Sequence, residues 1–444
     1  MEAAVEQIAE SLIETRVRTL ALVRAIPGAR LVTPPAAFMG PILWDLGHLA
    51  HFEELWILRR LSSRKAVDER FDRLYDASLS PRPGRSELDV PPISDTLAYM
   101  GQVRARVLEL IERIVPDAGD PLTRDGYVFR MIVQHEIQHQ ETMLQSLQLA
   151  GEQAALGVIA AAGGKEAPER TSSAVDAAAV ERESVEIPGG PFDMGTDRWA
   201  GTYDNERPRR SVHVDAFVID RFPVTNRRFL EFARDDGYRR PELWCDAGWS
   251  WVSEHGVERP QGWEDGDDET PFVRRFGSVV PLAPDEPVQH VSWYEADAFA
   301  HWSGARLPTE AEWEKAAAWD PHVDRARRYP WGNRTAPRAR ANVGWKRPGP
   351  APIGAYRDGA SPLGVEQLVG DVYEWTSSLL DNHERFEAFP YREYSEAFFG
   401  TRYRVLRGAS WAVHDPMVRC TYRNWDLPQR RQLFAGFRLA RGLS

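Results

Sequence analysis

The run Gln134-His135-Glu136-Ile137-Gln138-His139-Gln140-Glu141-Thr142-Met143 lies in a segment, from about Met131 to Leu149, that is otherwise rich in Met, Leu and Ile. That apolar pattern has the period of a buried helix. Residues at i and i+4 share one face of a helix, so the imidazoles of His135 and His139 can converge on a single ion. Glu136 and Glu141 flank them. An upstream segment, Trp44-Asp-Leu-Gly-His-Leu-Ala-His-Phe-Glu-Glu-Leu-Trp56, also reads as helical and carries His48 and His51, either of which could supply a third nitrogen. A lone histidine on a helix is ordinarily a core or surface residue. Here four of the chain's eleven histidines fall in two short segments, and the clustering favours a metal site. Imidazole suits Fe, Zn, Ni or Cu, and spacing alone does not choose among them.

Helical period recurs over roughly 3–26, 40–61, 93–115 and 124–149, and four such segments predict a bundle. The stretch Gly151 to Ser184 is rich in Ala, Gly, Ser and Glu and includes Ala-Ala-Gly-Gly-Lys-Glu-Ala-Pro, a connector composition. The expected organisation is a helical domain over 1–155, a linker over 156–184 and a second domain over 185–444. Beyond the linker come short apolar runs punctuated by Gly and Pro, with 14 of the 16 tryptophans, which predicts short strands and long loops. Two helices are expected there. Ser292 to Ser303 opens on Ser292 as N-cap, and Thr309 to Trp319 places Glu310, Glu312 and Glu314 in its first turns. The fold class is α+β.

For 444 residues two domains are the natural expectation, and 43% hydrophobic with 27% charged residues is ordinary for a soluble globular chain. No run approaches the ~18 apolar residues of a membrane span. The N-terminus, Met-Glu-Ala-Ala-Val-Glu-Gln, is acidic where a secretory signal would be basic. Cys245 and Cys420 alone cannot build a disulfide scaffold, so the expectation is a cytoplasmic protein. A net charge of −11 gives no electrostatic footprint for nucleic acid or anionic membrane. Neither GxGxxG, nor a P-loop, nor Gly-x-Ser-x-Gly occurs, which removes the main support for nucleotide-cofactor and serine-hydrolase readings.

In the second half, a series of runs appears in order: Ile187-Pro-Gly-Gly-Pro-Phe-Asp-Met-Gly195, Phe222-Pro-Val-Thr-Asn226, Pro287-Val-Gln-His-Val-Ser-Trp293, Arg306-Leu-Pro-Thr-Glu-Ala-Glu-Trp-Glu-Lys315, Pro330-Trp-Gly332, Gly370-Asp-Val-Tyr-Glu-Trp-Thr376, Leu406-Arg-Gly-Ala-Ser-Trp411 and Gly436-Phe-Arg-Leu439. Together they resemble the formylglycine-generating-enzyme-type domain, which implies a C-type-lectin-like fold. Asp371 and Tyr373 stand where Asn and Trp are common in that family, and Ala409 where a second Gly is usual. Formylglycine generation needs a cysteine pair for copper after Trp411. This chain offers only Cys420 there, so that activity is not expected and Cys420 reads as a packed, inert thiol.

The first half resembles a DinB-like four-helix bundle, whose relatives hold a metal with one upstream His and a His-x-x-x-His-x-Glu run. A DinB-type bundle joined to a formylglycine-type domain resembles the sulfoxide synthases of ergothioneine biosynthesis, across nearly the whole chain outside the linker. In those enzymes the upstream ligand lies in a Trp-Asp-Leu-x-His run, which selects His48 over His51 and leaves His51 as a surface or supporting residue. The resemblance implies an oxidoreductase that uses Fe(II), held by His48, His135 and His139, and O₂. It would join the sulfur of γ-glutamylcysteine, or of cysteine, to C2 of the imidazole of hercynine and oxidise that sulfur to a sulfoxide. Three protein imidazoles leave three positions on an octahedral ion, so Glu141 is expected to orient a ligand rather than bind.

The same resemblance assigns the remaining roles. Arg82 and Arg85, in the loop Ser80-Pro-Arg-Pro-Gly-Arg85, would clamp the carboxylates of the thiol substrate bidentately. In Arg423-Asn-Trp-Asp-Leu-Pro-Gln-Arg-Arg431, Asn424 with Gln138 would hold the hercynine carboxylate, and Asp426 the amino group of the thiol. Trp425 offers a π-face to a quaternary ammonium, a contact worth about 0.5–2 kcal/mol when desolvated. In Tyr391-Arg-Glu-Tyr394, Tyr391 is the expected catalytic acid that steers the reaction to C–S bond formation, and Tyr394 a substrate-pocket residue. A phenol of ordinary acidity, with a pKa of about 10, is protonated at neutral pH.

Three other readings compete. An ovothiol-type synthase acting on histidine is the nearest, although those enzymes commonly add a methyltransferase domain. A DinB-type metal-dependent thiol transferase would need neither O₂ nor Tyr391. A carbohydrate- or protein-binding module would leave the histidine set unexplained. The expected partners are small molecules alone, with no nucleic acid or membrane, and the expected state is a monomer.

Overall fold

The computed structural model describes residues 2–82, 84–111, 113, 119–163, 176–266, 271–323, 325–334 and 337–443. The chain divides into two compact units, Met1–Val158 and Ile159–Ser444.

Four long helices build the first unit: α1 (Glu2–Ala25), α2 (Ile42–Glu53), α3 (Ile93–Ile111) and α4 (Tyr127–Ala150). They fall where the apolar period predicts them. Every residue of α2 is buried, which fits a helix packed on all sides rather than along one stripe. It runs on into a π-helical stretch, Glu54–Leu61. The end of α4 is set by Gly151, whose φ of 69° is a left-handed conformation that glycine adopts without a Cβ penalty.

Charged side chains, one from each helix, meet inside this bundle. Arg16 of α1 donates to Glu53 of α2 at 2.9 Å and to Glu136 of α4 at 2.8 Å. Arg104 of α3 donates to the same two carboxylates at 2.6 and 3.1 Å. Thr19 adds a hydrogen bond to Glu136 at 2.7 Å. All four charged groups are buried, so each must find its partners within the bundle; Arg16 also donates to the Met100 carbonyl at 3.2 Å and Arg104 to that of Leu12.

The connector differs from expectation. Residues Ala154–Gly163, inside the stretch read as linker, form a helix α5, and Ala177–Val180 form one further helical turn before a strand begins at Ser184. The cause is composition: Ala-Ala-Leu-Gly-Val-Ile-Ala-Ala-Ala contains strong helix formers and a run of apolar side chains, with a single glycine. Positions 164–175 of the expected linker lie outside the described residues.

The second unit is built of short strands, as predicted. Its largest sheet has four, in the order Arg423–Asp426, Arg404–Gly408, Tyr373–Leu379 and Ala435–Gly436, the last pairing in parallel. A three-stranded sheet joins Ser184–Ile187, Phe217–Asp220 and Ala440–Gly442, so the two ends of the unit share it. Helices Trp293–Trp302 and Glu310–Ala318 both open on the expected caps, each a capping box, with Ser292 accepting from the Glu295 amide and Thr309 from the Glu312 amide. Two more helices, Asn226–Arg234 and Asp246–His255, were not expected, since each is short and lies among charges and aromatics with no long apolar period.

The sequence runs shared with the formylglycine-type domain meet in the core of this unit. Arg438 donates twice to Glu374, each bond 2.7 Å, and the Trp313 indole donates to the same carboxylate at 2.8 Å. Arg407 pairs with Glu314, and both are buried. Among the described residues, no helix is long and apolar enough to cross a membrane.

The four-helix network has a measurable signature. Burial pushes the Glu136 carboxyl up, but Arg16 and Arg104 outweigh it and hold the group at about 2, below its ordinary 4.5. Its contribution to stability is therefore complete above pH 4.5 and is lost as pH falls towards 2. Glu136→Ala should cost about 3–5 kcal/mol at neutral pH, because two buried guanidinium groups lose a partner. It should also flatten the acid limb of the stability profile, and urea unfolding across that range checks both effects.

Candidate active site

Helix α2 carries His48, and α4 carries His135 and His139 one turn apart. One ligand nitrogen from each lies within 4.8 Å of the others. His48 Nδ1 donates to the Tyr75 carbonyl at 2.7 Å, which leaves Nε2 as the lone-pair nitrogen, and that atom stands 3.2 Å from His135 Nε2. The approach of Tyr75 requires glycine at the neighbouring position: a Cβ on Gly47 would lie 2.0 Å from the tyrosine ring. Aromatic rings fix the two imidazoles, with Trp44 stacked on His48 at 4.9 Å and Phe52 on His135 at 3.9 Å.

Burial, followed by the charge of His139, pushes His48 down to about 3, and the same two causes hold His135 well below its ordinary value. Both rings are therefore neutral at physiological pH and present lone pairs rather than protons. Three convergent imidazole nitrogens without a carboxylate in the set fit a divalent transition-metal ion. His48 is buried while His135 and His139 are partly exposed, so the cluster is accessible from one side. Gln138 follows His135 by three positions, one turn along the same helical face, and is also half-buried.

His51 is not a surface residue. It is buried and bonded to Asp72 at 2.9 Å, in an arrangement that also includes Arg59, and it stands outside the metal-capable cluster. Glu141 is buried in α4, and Glu136 belongs to the ion network. The two loop arginines are unequal. Arg82 is exposed, whereas Arg85 is only 7% exposed, with its guanidinium 3.5 Å over the Trp44 ring and its Nε donating to the Ser80 carbonyl at 2.9 Å.

In the second unit, Tyr391, Tyr394 and Trp425 form one aromatic cluster. Ring centroids are 6.2 Å apart for the two tyrosines and 5.6 Å for Tyr394 and Trp425, and Tyr203 stacks on Tyr394 at 4.2 Å. The tyrosine loop is anchored through buried Asp204, which accepts from the Ser395 hydroxyl and from the Phe389 amide at 3.2 Å. Asn424, Trp425 and Asp426 lie on the edge strand, where alternation places Asn424 and Asp426 on one face and Trp425 on the other. Arg423 locks this strand to helix Glu310–Ala318 by forking onto Glu310 at 2.9 and 3.0 Å. The Asp426 carboxylate accepts from Gln432 at 3.1 Å. Cys420 is fully buried, and burial pushes its thiol well up, which makes it inert.

Sequence reasoning missed Trp44 and Tyr75 as the groups that hold His48, Asp45 as the carboxylate that faces His139, and Asp204 and Ser395 as anchors of the tyrosine loop. For Asp45 a signal existed: it precedes His48 by three positions and so shares its helical face. The Tyr75 carbonyl carries none, since a backbone group leaves no trace in residue type.

Residues 171–443 match the sulfatase-modifying factor enzyme 1-like domain, and residues 11–143 match the DinB superfamily. This pairing defines the class: a DinB-type helical domain followed by a formylglycine-generating-enzyme-like domain of C-type-lectin-like fold. The hercynine oxygenase of Mycolicibacterium thermoresistibile is 45% identical over 442 residues, covering 98% of this chain and 94% of the relative. That of Mycolicibacterium smegmatis is 43% identical over 447 residues, covering 98% of both. A solved structure of PvdO from Pseudomonas aeruginosa aligns at 22% identity with a TM-score of 0.40, covering 59% of this chain and 94% of that one. The chain belongs to the hercynine oxygenase family.

Metal analysis of purified variants separates the two upstream histidines. His48→Ala should lose stoichiometric metal, and His51→Ala should keep it while losing the stability of the His51–Asp72 hydrogen bond. Full loading of the first with loss in the second would reverse the assignment.

Proposed function

We propose that this protein is an Fe(II)- and O₂-dependent sulfoxide synthase of ergothioneine biosynthesis. The carrying observation is the convergence of His48, His135 and His139 in a chain similar over 98% of its length to a hercynine oxygenase. The proposed reaction joins hercynine and γ-glutamylcysteine. The imidazole C2–H and the thiol S–H are lost, a C–S bond forms, one oxygen atom of O₂ enters the sulfoxide, and the other leaves as water with both hydrogens. Four electrons pass from the two substrates to O₂. Bound by the three histidines, iron supplies the redox chemistry that links these oxidations.

The chain's own residues divide the remaining work. Neutral His48 and His135 offer nitrogen donors without first releasing protons. Arg82, free to reorient at the surface, and Arg85, held flat on Trp44, supply guanidinium forks for the carboxylates of the thiol substrate. Gln138 and Asn424 are proposed to hold the hercynine carboxylate, Trp425 and Tyr394 its trimethylammonium, and Asp426 the amino group of the thiol. Tyr391 is the proposed acid: its hydroxyl gives a proton as O₂ is reduced, and the Asp204-anchored loop holds it in place. The expected setting is a monomer in the cytoplasm.

Anaerobic reconstitution with Fe(II), followed by O₂, hercynine and either thiol, tests this reading by mass spectrometry of the products. A sulfoxide joining the two substrates is the expected result. Product with histidine alone would indicate an ovothiol-type enzyme, and thiol transfer without O₂ the transferase. In side-by-side kinetics γ-glutamylcysteine should outcompete cysteine. Arg82→Ala should then cost about 1.5–3 kcal/mol, a roughly 10- to 150-fold fall in kcat/KM for the larger thiol.

Tyr391→Phe keeps the ring and the metal but removes the proton, so sulfinate from direct thiol oxidation should rise as sulfoxide falls. The check is the product ratio against Tyr394→Phe at the same O₂ concentration. A change confined to the Tyr394 variant would move the acid role to that residue.

A further inference from the structure

Asp45 is a buried carboxylate to which no arginine is hydrogen-bonded among the described residues. Glu53 and Glu136, buried in the same bundle, each bond to two arginines, and buried Glu54 accepts from the Tyr99 hydroxyl. Asp45 Oδ1 instead faces His139 Nδ1 at 3.4 Å. That nitrogen is itself buried and lacks a well-aligned hydrogen-bond partner. Two groups that cannot reach water, one an acceptor and the other able to donate, thus stand just outside bonding geometry with respect to each other.

The three ligand histidines are not supported alike. His48 gives its Nδ1 proton to a neutral carbonyl, that of Tyr75. For His139 the facing group is a charge. A carboxylate on the far nitrogen of a metal-bound imidazole fixes the tautomer, turns the ring and strengthens the lone pair that meets the cation. It also places one negative charge near a divalent ion that its three neutral ligands leave uncompensated. The same carboxylate feels the charges of Arg85 and Arg82. Trp44, its neighbour in sequence, lies between Arg85 and His48, stacked against both.

We propose that Asp45 is a positioning residue of the metal centre, accepting the Nδ1 proton of His139 so that Nε2 is the nitrogen turned to the ion. This rests on the three-histidine reading above. Asp45→Asn preserves shape and removes the charge, and a supporting group of this kind is worth about 10- to 100-fold in metal affinity.

The experiment uses the full-length apo chain. Fe(II) is titrated anaerobically against a competing chelator, Co(II) is added in parallel for its visible ligand-field bands, and thermal unfolding of each metal-free variant is recorded. Asp45→Asn should bind Fe(II) about 10- to 100-fold more weakly and shift the Co(II) bands, with the unfolding of the metal-free form unchanged. A role confined to packing would lower the melting temperature and leave the Co(II) spectrum of the folded fraction as in wild type, which would overturn the proposal. Asp45→Glu, which returns the carboxylate on a longer arm, should recover part of the affinity, and equal losses in both variants would likewise overturn it. Wild-type affinity and spectrum in Asp45→Asn, with no binding in His139→Ala, would refute the role of Asp45 and leave the metal site standing. Undiminished binding in His139→Ala would refute the three-histidine reading itself.

Discussion

Four buried charges, contributed one by each long helix, fix the relation of those helices to one another. Arg16, Glu53, Arg104 and Glu136 close a ring of hydrogen bonds in which every member has two partners from other helices. Apolar packing alone tolerates sliding, because ridges and grooves repeat along a helix. A closed ring of buried ions does not, since any slip strands a charge away from water. Glu136 immediately follows His135 and Glu53 immediately follows Phe52, which stacks on His135. The network therefore sets the axial register that brings the histidine of α2 level with the pair on α4. In physical terms, the three-histidine cluster depends on the ion network packed beside it.

Much of this was legible beforehand, because helix period and i,i+4 spacing are local properties. The four bundle helices and the His135/His139 pair follow from them directly. The choice between His48 and His51 does not, since both lie on α2 and both are buried. What separates them is nonlocal: the Tyr75 carbonyl turns His48 toward the other two, and Asp72 takes His51 away. Helix α5 was misread because alanine-rich composition suits both a connector and a helix. The helices Asn226–Arg234 and Asp246–His255 are hard to read from sequence because each is short, so that its buried apolar residues, Phe229 and Phe232 in the first and Gly248 and Val252 in the second, are too few to set a period.

The second unit shows a different limit. Its most recognisable runs converge on buried pairs, Arg438 with Glu374 and Arg407 with Glu314, so they report architecture. That is why the fold was readable at once while the chemistry was not. Tyr391, Tyr394 and the Asn424 to Asp426 segment sit half-buried in a loop and on an edge strand, with no pattern beyond their residue types. Nor can residue type show that Asp204, nearly two hundred positions earlier, holds the tyrosine loop.

The stack of Arg85 on Trp44 on His48 bears on how such an enzyme can diverge. Arg85 covers one face of an indole that stacks on His48, so its replacement would expose the indole and loosen the imidazole in one step. Arg82 has no such duty. Where the proposed thiol contact is given up, position 82 is free to drift, whereas position 85 stays tied to the stack on His48 and should change last, or only together with residue 44.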